Sequence, residues 1–400
     1  MLYLVLLIFI LFLSYWYDYL GNQKGINVSY AIVLIILILI AGLRYRLGVD
    51  SIRYESAFQY MPTLFEIQAI DFIKISYDPL YLILSSIART ISDEFWIMQI
   101  IQASIVNIFF FRFIRNNTSK IFLAIFFYCI FLYTDYMFET MREACAAVFF
   151  LTGYDCLKDR KYVSYILLLL VSFGFHSSAI ALIILPILMI LGLWNKLVIN
   201  KFLPIFLLAI VFVGNIIQSQ FFEYISLLNL TDNITQKADI YAGSALAGQS
   251  LNIFGMIQYC IQYIFFPYLA CVILKQHKSL EKDLEHMIVI CFAMIAMSFA
   301  ITIFYRFNNY FYPFAIVAMS NVAYYKKMKI SAHQYFRVSS FSSWIILIII
   351  IIYLPIKFSY FSSIPNTSYK EYMRYYPYKS VITKEKDMNR EGVFNYYGAY

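Results

Sequence analysis

The chain has 400 residues, of which 62% are hydrophobic and 14% charged, with a formal net charge of +8. Soluble globular proteins carry roughly 25% charged residues, so this composition excludes an ordinary water-soluble domain and points to an integral membrane protein. The lysines and arginines are dispersed among short loops instead of forming one stripe, so the positive charge gives no support to a nucleic-acid partner.

A membrane-spanning helix needs about 20 mainly apolar residues. In chain order the candidate spans are 2–20, 27–43, 94–111, 120–137, 141–157, 161–175, 177–193, 202–218, 253–274, 286–304, 308–325 and 340–356. They predict an all-α polytopic membrane protein with about 12 transmembrane helices. Residues 1–357 then form one multi-helix domain, with long loops at 44–93 and 219–252 and a tail at 358–400. The first segment, "MLYLVLLIFILFLSYWYDYL", lacks a basic leader and a small-residue cleavage site, so it reads as a retained helix. The stretch "DPLYLILSSIARTIS" (78–92) is apolar, yet counting it as a span inverts every later loop. It is read as a re-entrant or interfacial helix.

Basic residues in short loops mark the cytoplasmic side. The marks are "RFIRNNTSK" (112–120), "KDRK" (158–161), "KQHKSLEK" (275–282) and "KKMKISAHQYFR" (326–337), with weaker ones at Lys24 and from Lys196 to Lys201. Both termini, the two long loops and the tail then lie outside. All six cysteines fall in or beside apolar runs with no CxxC pair, which indicates neither a disulfide framework nor a zinc site.

This orientation puts several costly charges on the external side, each at or just inside a helix end. After the second span comes "RYRLGVD" (44–50), followed by Arg53. Arg44 and Arg46 are candidate anion ligands, and for Arg46 a headgroup-anchoring role fits equally well. Asp50 supplies a carboxylate to orient Arg44 or Arg53, or an ordinary loop salt bridge. In "DYMFETMREACAAVFF", Arg142 stands in the first turn of an apolar helix, where the helix dipole opposes a cation. Either Glu139 and Glu143 pair with it, or it awaits an anionic ligand such as phosphate. His176 in "GFHSS" is the one histidine on the external side, either a packing residue or a proton acceptor. Arg306 opens "YRFNNYFYPF", whose Asn309 and Tyr310 suit sugar hydroxyls and sugar faces, as well as an interfacial belt. "YMRYYPYKS" (372–380) reads as an interfacial segment.

The sequence holds no DxD, HExxH, Walker lysine or GxSxG, so metal-dependent glycosyl transfer, metalloproteolysis, nucleotide hydrolysis and serine hydrolysis lack their usual support. No charge lies at the centre of a span, which weighs against a secondary transporter.

In order, "RYRLGVD" (44–50), "MREACAAVFFL" (141–151), "KDRK" (158–161), "FGFHSSAIAL" (173–182), "YRFNNYFYPF" (305–314) and "YYPYKS" (375–380) resemble the EpsG-like branch of Wzy-type O-antigen and exopolysaccharide polymerases. One departure is Glu143, where that family commonly has Gln. The resemblance implies a metal-independent, cofactor-free membrane glycosyltransferase at the external face of the bacterial inner membrane. Such an enzyme would transfer a polyprenyl-pyrophosphate-linked glycan onto a lipid-linked repeat unit, and analogy with other lipid-donor transferases gives the expectation of inversion. His176, Arg142 and Arg306 become the expected catalytic residues. Arg44, Arg46, Asp50, Arg53, Asn309 and Tyr310 become the expected pyrophosphate- or sugar-binding ones. The implied partners are donor and acceptor glycolipids, membrane lipids, a chain-length regulator and a flippase. The competing classes are a flippase of lipid-linked oligosaccharide, a membrane sugar O-acyltransferase and a structural subunit.

Overall fold

The computed structural model describes residues 2–75, 77–200, 202–211, 213, 259–299, 302–323, 364 and 367–398. The expected loop at 219–252, the span at 340–356 and the basic segment at 326–337 lie outside the described residues, as do parts of the spans at 202–218, 253–274 and 286–304. Among the described residues the fold is all-helical, with one isolated antiparallel bridge between Arg44 and Ser380. The chain divides into two compact units, Met1–Pro186 with Ala323–Tyr400, and Ile187–Val322.

The first unit is built from α1 (Leu2–Leu13), α2 (Ile26–Gly42), α3 (Val49–Phe58), α4 (Asp71–Lys74), α5 (Pro79–Ile91), α6 (Phe95–Asn117), α7 (Ile121–Phe131), α8 (Met141–Lys158) and α9 (Tyr162–Phe175). A π-turn at Ser14–Tyr19 extends α1. The stretch Leu2–Tyr19 and helix α6 are long and apolar enough to cross a membrane, while most of the other apolar helices are shorter.

Small residues decide which helices touch. In α8 the run Ala144, Cys145, Ala146, Ala147 is wholly buried, and α9 lies alongside it. Ser172 of α9 donates to the Ala146 carbonyl at 2.6 Å, an interhelical bond of the kind that holds helices together where water is absent. Helix α2 packs along α6, and a Cβ at Gly42 would collide with Ile100. Helix α7 is buried on every side. Its Tyr128 ring stacks on Phe110 of α6 at 4.0 Å, and its hydroxyl donates to Asn107 at 3.1 Å.

One expected span takes a different form. Residues 177–193 were expected to make one continuous helix, but Ser177–Ile183 is a 3-10 turn, followed by the seven-residue α10 (Ile184–Ile190). Pro186 has no N–H to give the Leu182 carbonyl four residues back. The Tyr165 hydroxyl of α9 donates to that carbonyl instead, at 2.8 Å.

In the second unit, α11 (Phe266–Gln276), α12 (Lys282–Met297) and α13 (Phe307–Ala323) are the described helices beyond α10 with a firm boundary. Glu285 of α12 accepts from the Ile199 amide and from Lys275, both at 2.7 Å, and Asp283 accepts from the Trp194 indole at 2.7 Å.

The tail is part of the first unit and not a free strand. Tyr45 donates its amide to the Lys379 carbonyl at 2.8 Å, and Val381 donates to the Leu43 carbonyl at 2.9 Å. The last described helix, α14 (Met388–Tyr396), buries Phe394 against Val49 and Ile52 of α3.

Candidate active site

Where α2 ends, Leu43 to Gly48 carry the chain across the unit to α3. Gly48 has φ +86, and its amide donates to the Arg374 carbonyl at 3.0 Å. A Cβ at this position would land on the Phe138 backbone, so the approach of the loop to the 135–139 turn requires glycine. That approach delivers Glu139 to the start of α3, where its carboxylate accepts the amides of Val49 at 3.3 Å and Asp50 at 3.0 Å. A carboxylate there satisfies free N–H groups and complements the helix dipole. The same carboxylate accepts from Arg374 at 2.9 Å and from the Tyr375 hydroxyl at 2.8 Å. Glu139 therefore pairs with the tail, and not with Arg142, which is one of the two readings the sequence leaves open.

Arg142, in the first turn of α8, finds its carboxylate elsewhere. Its Nη1 meets Asp78 Oδ2 at 3.3 Å, and its Nε donates to the Tyr54 hydroxyl at 3.4 Å. The guanidinium lies 4.8 Å from the Tyr77 ring centroid and 5.9 Å from that of Tyr54. Tyr54, Tyr77 and Tyr81 contact one another at 5.5–6.1 Å between centroids. Its Nη2 makes no hydrogen bond among the described residues, and the side chain keeps 24% of its exposure. A cation held on one edge and open on the other is suited to a second, incoming anion.

Asp78 joins two parts of the site. It begins α5 immediately before Pro79, the position of a helix cap, yet its side chain makes no bond to its own helix. Its Oδ1 instead accepts the Ser177 amide at 3.0 Å, while Oδ2 faces Arg142. Burial pushes the Asp78 carboxyl up from its ordinary value, against the opposing pull of Arg142 and the Ser177 amide.

His176 is buried in the same turn. Its Nδ1 accepts the Ser178 amide at 3.2 Å and lies 2.7 Å from the Ser178 hydroxyl. An N–H donor at Nδ1 fixes that nitrogen as an acceptor, so the neutral ring carries its proton on Nε2.

The remaining arginines divide by burial. Arg44 is wholly buried; it donates to the Ala41 carbonyl, to Ser51 at 3.4 Å and to the Met141 sulfur at 3.4 Å, with the Phe138 ring at 5.1 Å. Arg46 forms a two-pronged pair with Glu391 and a longer contact, 3.5 Å, with Glu55. Burial raises the Glu55 carboxyl, which Glu391 reinforces and Arg46 opposes. Asp50 and Arg53 form an exposed pair at 3.0 Å, one helical turn apart on α3, and Arg53 also donates to the Tyr397 carbonyl at 3.0 Å. In the second unit Arg306 is exposed at the head of α13, while Asn309 and Tyr310 are buried one turn further on.

Asp78, Tyr54, Tyr77 and Glu391 are the residues that sequence reasoning missed, and Arg374 figures there only within the stretch 372–380 read as interfacial. Of the four, Asp78 left a signal, as an acidic residue before proline that reads as a helix cap, and that signal names the wrong bond.

The profile of a family described as the EpsG family matches residues 27–380 of the chain. No curated protein sequence and no solved structure matches it.

Proposed function

The chain belongs to the EpsG family, and we propose from that premise that it joins lipid-linked oligosaccharide repeat units into a polysaccharide at the external face of the bacterial inner membrane. The family is one of membrane proteins, associated with exopolysaccharide polymerisation of a glycosyltransferase kind. In this reading the chain crosses the bilayer about 12 times, residues 78–92 stay on the outer side, and the tail at 358–400 caps that side. The donor is a glycan on polyprenyl pyrophosphate and the acceptor a newly delivered lipid-linked repeat unit. Activation resides in the donor's phosphate ester, so the transfer calls for no nucleotide or metal. A single displacement then inverts the anomeric centre.

The observation that carries the reading is Arg142, gripped by Asp78 and Tyr54 with Nη2 left over. Departure of the pyrophosphate builds negative charge, and a preorganised guanidinium stabilises it without rearranging. Arg44 adds positive potential, Arg46, Asp50 and Arg53 are further candidates for holding pyrophosphate or sugar, and the half-buried Tyr54 and Tyr77, backed by the buried Tyr81, offer aromatic faces for a sugar. The proton of the attacking hydroxyl leaves through the corner where Asp78 meets the turn of His176. In the second unit, taken by itself, the exposed Arg306 is a separate candidate phosphate ligand, while Asn309 and Tyr310 are buried on the same helix. A flippase and a chain-length regulator are the partner proteins that such a polymerase works beside.

The test is the surface-polysaccharide gel profile of the host with this gene deleted, then restored as wild type or as Arg142→Ala. Collapse of the ladder to a single-unit band, rescued by wild type alone, is the expected result. Loss of the single-unit band as well would mean that units never reach the outer face, which belongs to a flippase.

A further inference from the structure

Asp78, paired with Arg142, and His176, in the turn whose Ser177 amide Asp78 accepts, both have the chemistry to receive a proton, and the hydrogen bonds separate them. His176 has one lone pair in its neutral ring, on Nδ1, and the Ser178 amide already points at it. Taking a proton there would break that bond and release the start of the 177–183 turn. Asp78 has two oxygens with about four acceptor positions. One accepts from the Ser177 amide and one from Arg142, which leaves acceptor capacity on both, and the side chain keeps 16% of its exposure.

We propose that Asp78 is a catalytic residue of the transfer, the carboxylate that takes the proton from the acceptor sugar hydroxyl. The proposal rests on the polymerase reading and deepens it. In the step, the acceptor O–H bond breaks and its proton passes to an Asp78 oxygen. The freed oxygen forms the bond to the donor's anomeric carbon. The bond from that carbon to the pyrophosphate oxygen breaks, its electron pair stays on the polyprenyl pyrophosphate, and the new negative charge meets Arg142. Base and anion clamp thus lie at the two ends of one ion pair, 3.3 Å long. As the proton arrives on Asp78, its hold on Arg142 weakens at the moment the leaving group needs the guanidinium most.

The surroundings suit a base. Among the described residues, the charged and titratable groups around Asp78 include Arg142 from α8, Tyr54 from α3, Tyr77 and Tyr81 from its own stretch, and His176 from the turn that bears Ser177, with Asp50 and Glu143 acting on Tyr54 from further out. Burial raises the carboxyl above its ordinary value, which brings it nearer the working pH at which general bases act best. The absent cap bond to α5 fits the same picture, because the side chain is turned away from its local partner and towards the site.

The experiment uses membranes of the deletion strain carrying the full-length chain, supplied with the host's own extracted lipid-linked repeat unit. The rate of chain elongation is followed against pH and substrate concentration. Wild-type elongation establishes the polymerase reading; its absence would sink that reading before the role of Asp78 is reached. Asp78→Asn keeps the shape and an oxygen for the Ser177 amide but removes the basic charge. It is expected to lower kcat by about 100-fold or more, the usual contribution of a general base, with KM within threefold and the acid limb of the pH profile abolished. His176→Asn, whose amide oxygen can still accept from Ser178, is expected to retain the acid limb. Asp78→Glu, with the carboxylate on a longer arm, is expected to recover at least a tenth of the wild-type kcat, which separates a lost base from a misfolded chain. The proposal is overturned if Asp78→Asn raises KM alone, if its acid limb persists, if the limb vanishes in His176→Asn, or if Asp78→Glu is as slow as Asp78→Asn.

Discussion

Arg46 and Glu391, 345 positions apart in the chain, meet in a two-pronged ion pair, with Nε on Oε1 at 2.7 Å and Nη2 on Oε2 at 2.8 Å. Both side chains are mostly buried, at 13% and 15% exposure. Parallel N–H···O bonds from guanidinium to carboxylate fix orientation as well as distance. The pair therefore ties α14 to the turn after α2. Arg390 reinforces it from the same helix by donating to the carbonyls of Met373 and Pro377.

Glu391→Ala leaves the mostly buried Arg46 guanidinium with only its longer contact to Glu55, so it should cost about 2 kcal/mol, the scale of a hydrogen bond to a charged group. Arg46→Ala should cost a similar amount, and the double variant less than the sum, because neither charge is then left alone. Thermal unfolding of the detergent-solubilised protein measures all three, and strict additivity would show that the pair is not coupled.

Glu55 gives a pH dependence of known sign. Its carboxyl is raised in the folded protein, chiefly by burial. The folded state therefore binds the proton more tightly than the unfolded chain does, and the stability that this contributes is present at low pH and lost as pH rises through the folded value. Glu55→Gln should accordingly match wild type near pH 4 and be more stable than it near pH 8. The melting temperatures of the two proteins across that range decide it, and a variant less stable at the alkaline end would contradict the burial argument.

Gly48→Ala should be severe. A φ of 86 with ψ 139 is a positive-φ extended conformation that costs a residue other than glycine about 1–3 kcal/mol, and the new methyl meets the Phe138 backbone. Displacement of that turn would pull Glu139 from the start of α3 and loosen the tail. Limited trypsin digestion of sealed spheroplasts should cut after Arg374 or Lys379 in the variant and spare those two bonds in wild type, where cutting is confined to exposed positions such as Lys384 and Lys386.

Arg142→Lys tests whether charge alone suffices. Lysine cannot lie flat on Tyr77 while reaching both Asp78 and an incoming phosphate. Elongation should fall about 100-fold, the usual loss when one preorganised donor is removed, with insertion and expression unchanged. Near-normal polymer lengths would show that only a point charge is needed.

Much of the helical framework was legible. The runs at 27–43, 141–157 and 161–175 correspond to Ile26–Gly42, Met141–Lys158 and Tyr162–Phe175, because a long apolar stretch bounded by polar loops leaves the backbone few alternatives to a helix. Residues 177–193 fared worse, since apolarity alone does not reveal what Pro186 does to the ladder. The site charges were also legible one by one, because a cation beside an apolar run is costly enough to attract notice. Their partners were not. Glu139 stands three residues from Arg142 and still pairs with Arg374, while Arg142 pairs with Asp78, 64 positions earlier. Nothing in local spacing records a contact made by tertiary packing.

The closure of the tail over the loop after α2 carries a consequence for biosynthesis. Arg46 leaves the ribosome long before Glu391 is made, and Val49 and Ile52 wait equally long for Phe394. Membrane insertion of the early helices therefore yields a platform whose rim is still loose. The rim sets only when the segment around 390–394 has itself been translated and brought into place. A chain stopped short of that point would be inserted, abundant and inactive, and a bulky fusion placed just behind Phe394 should delay or prevent that final step.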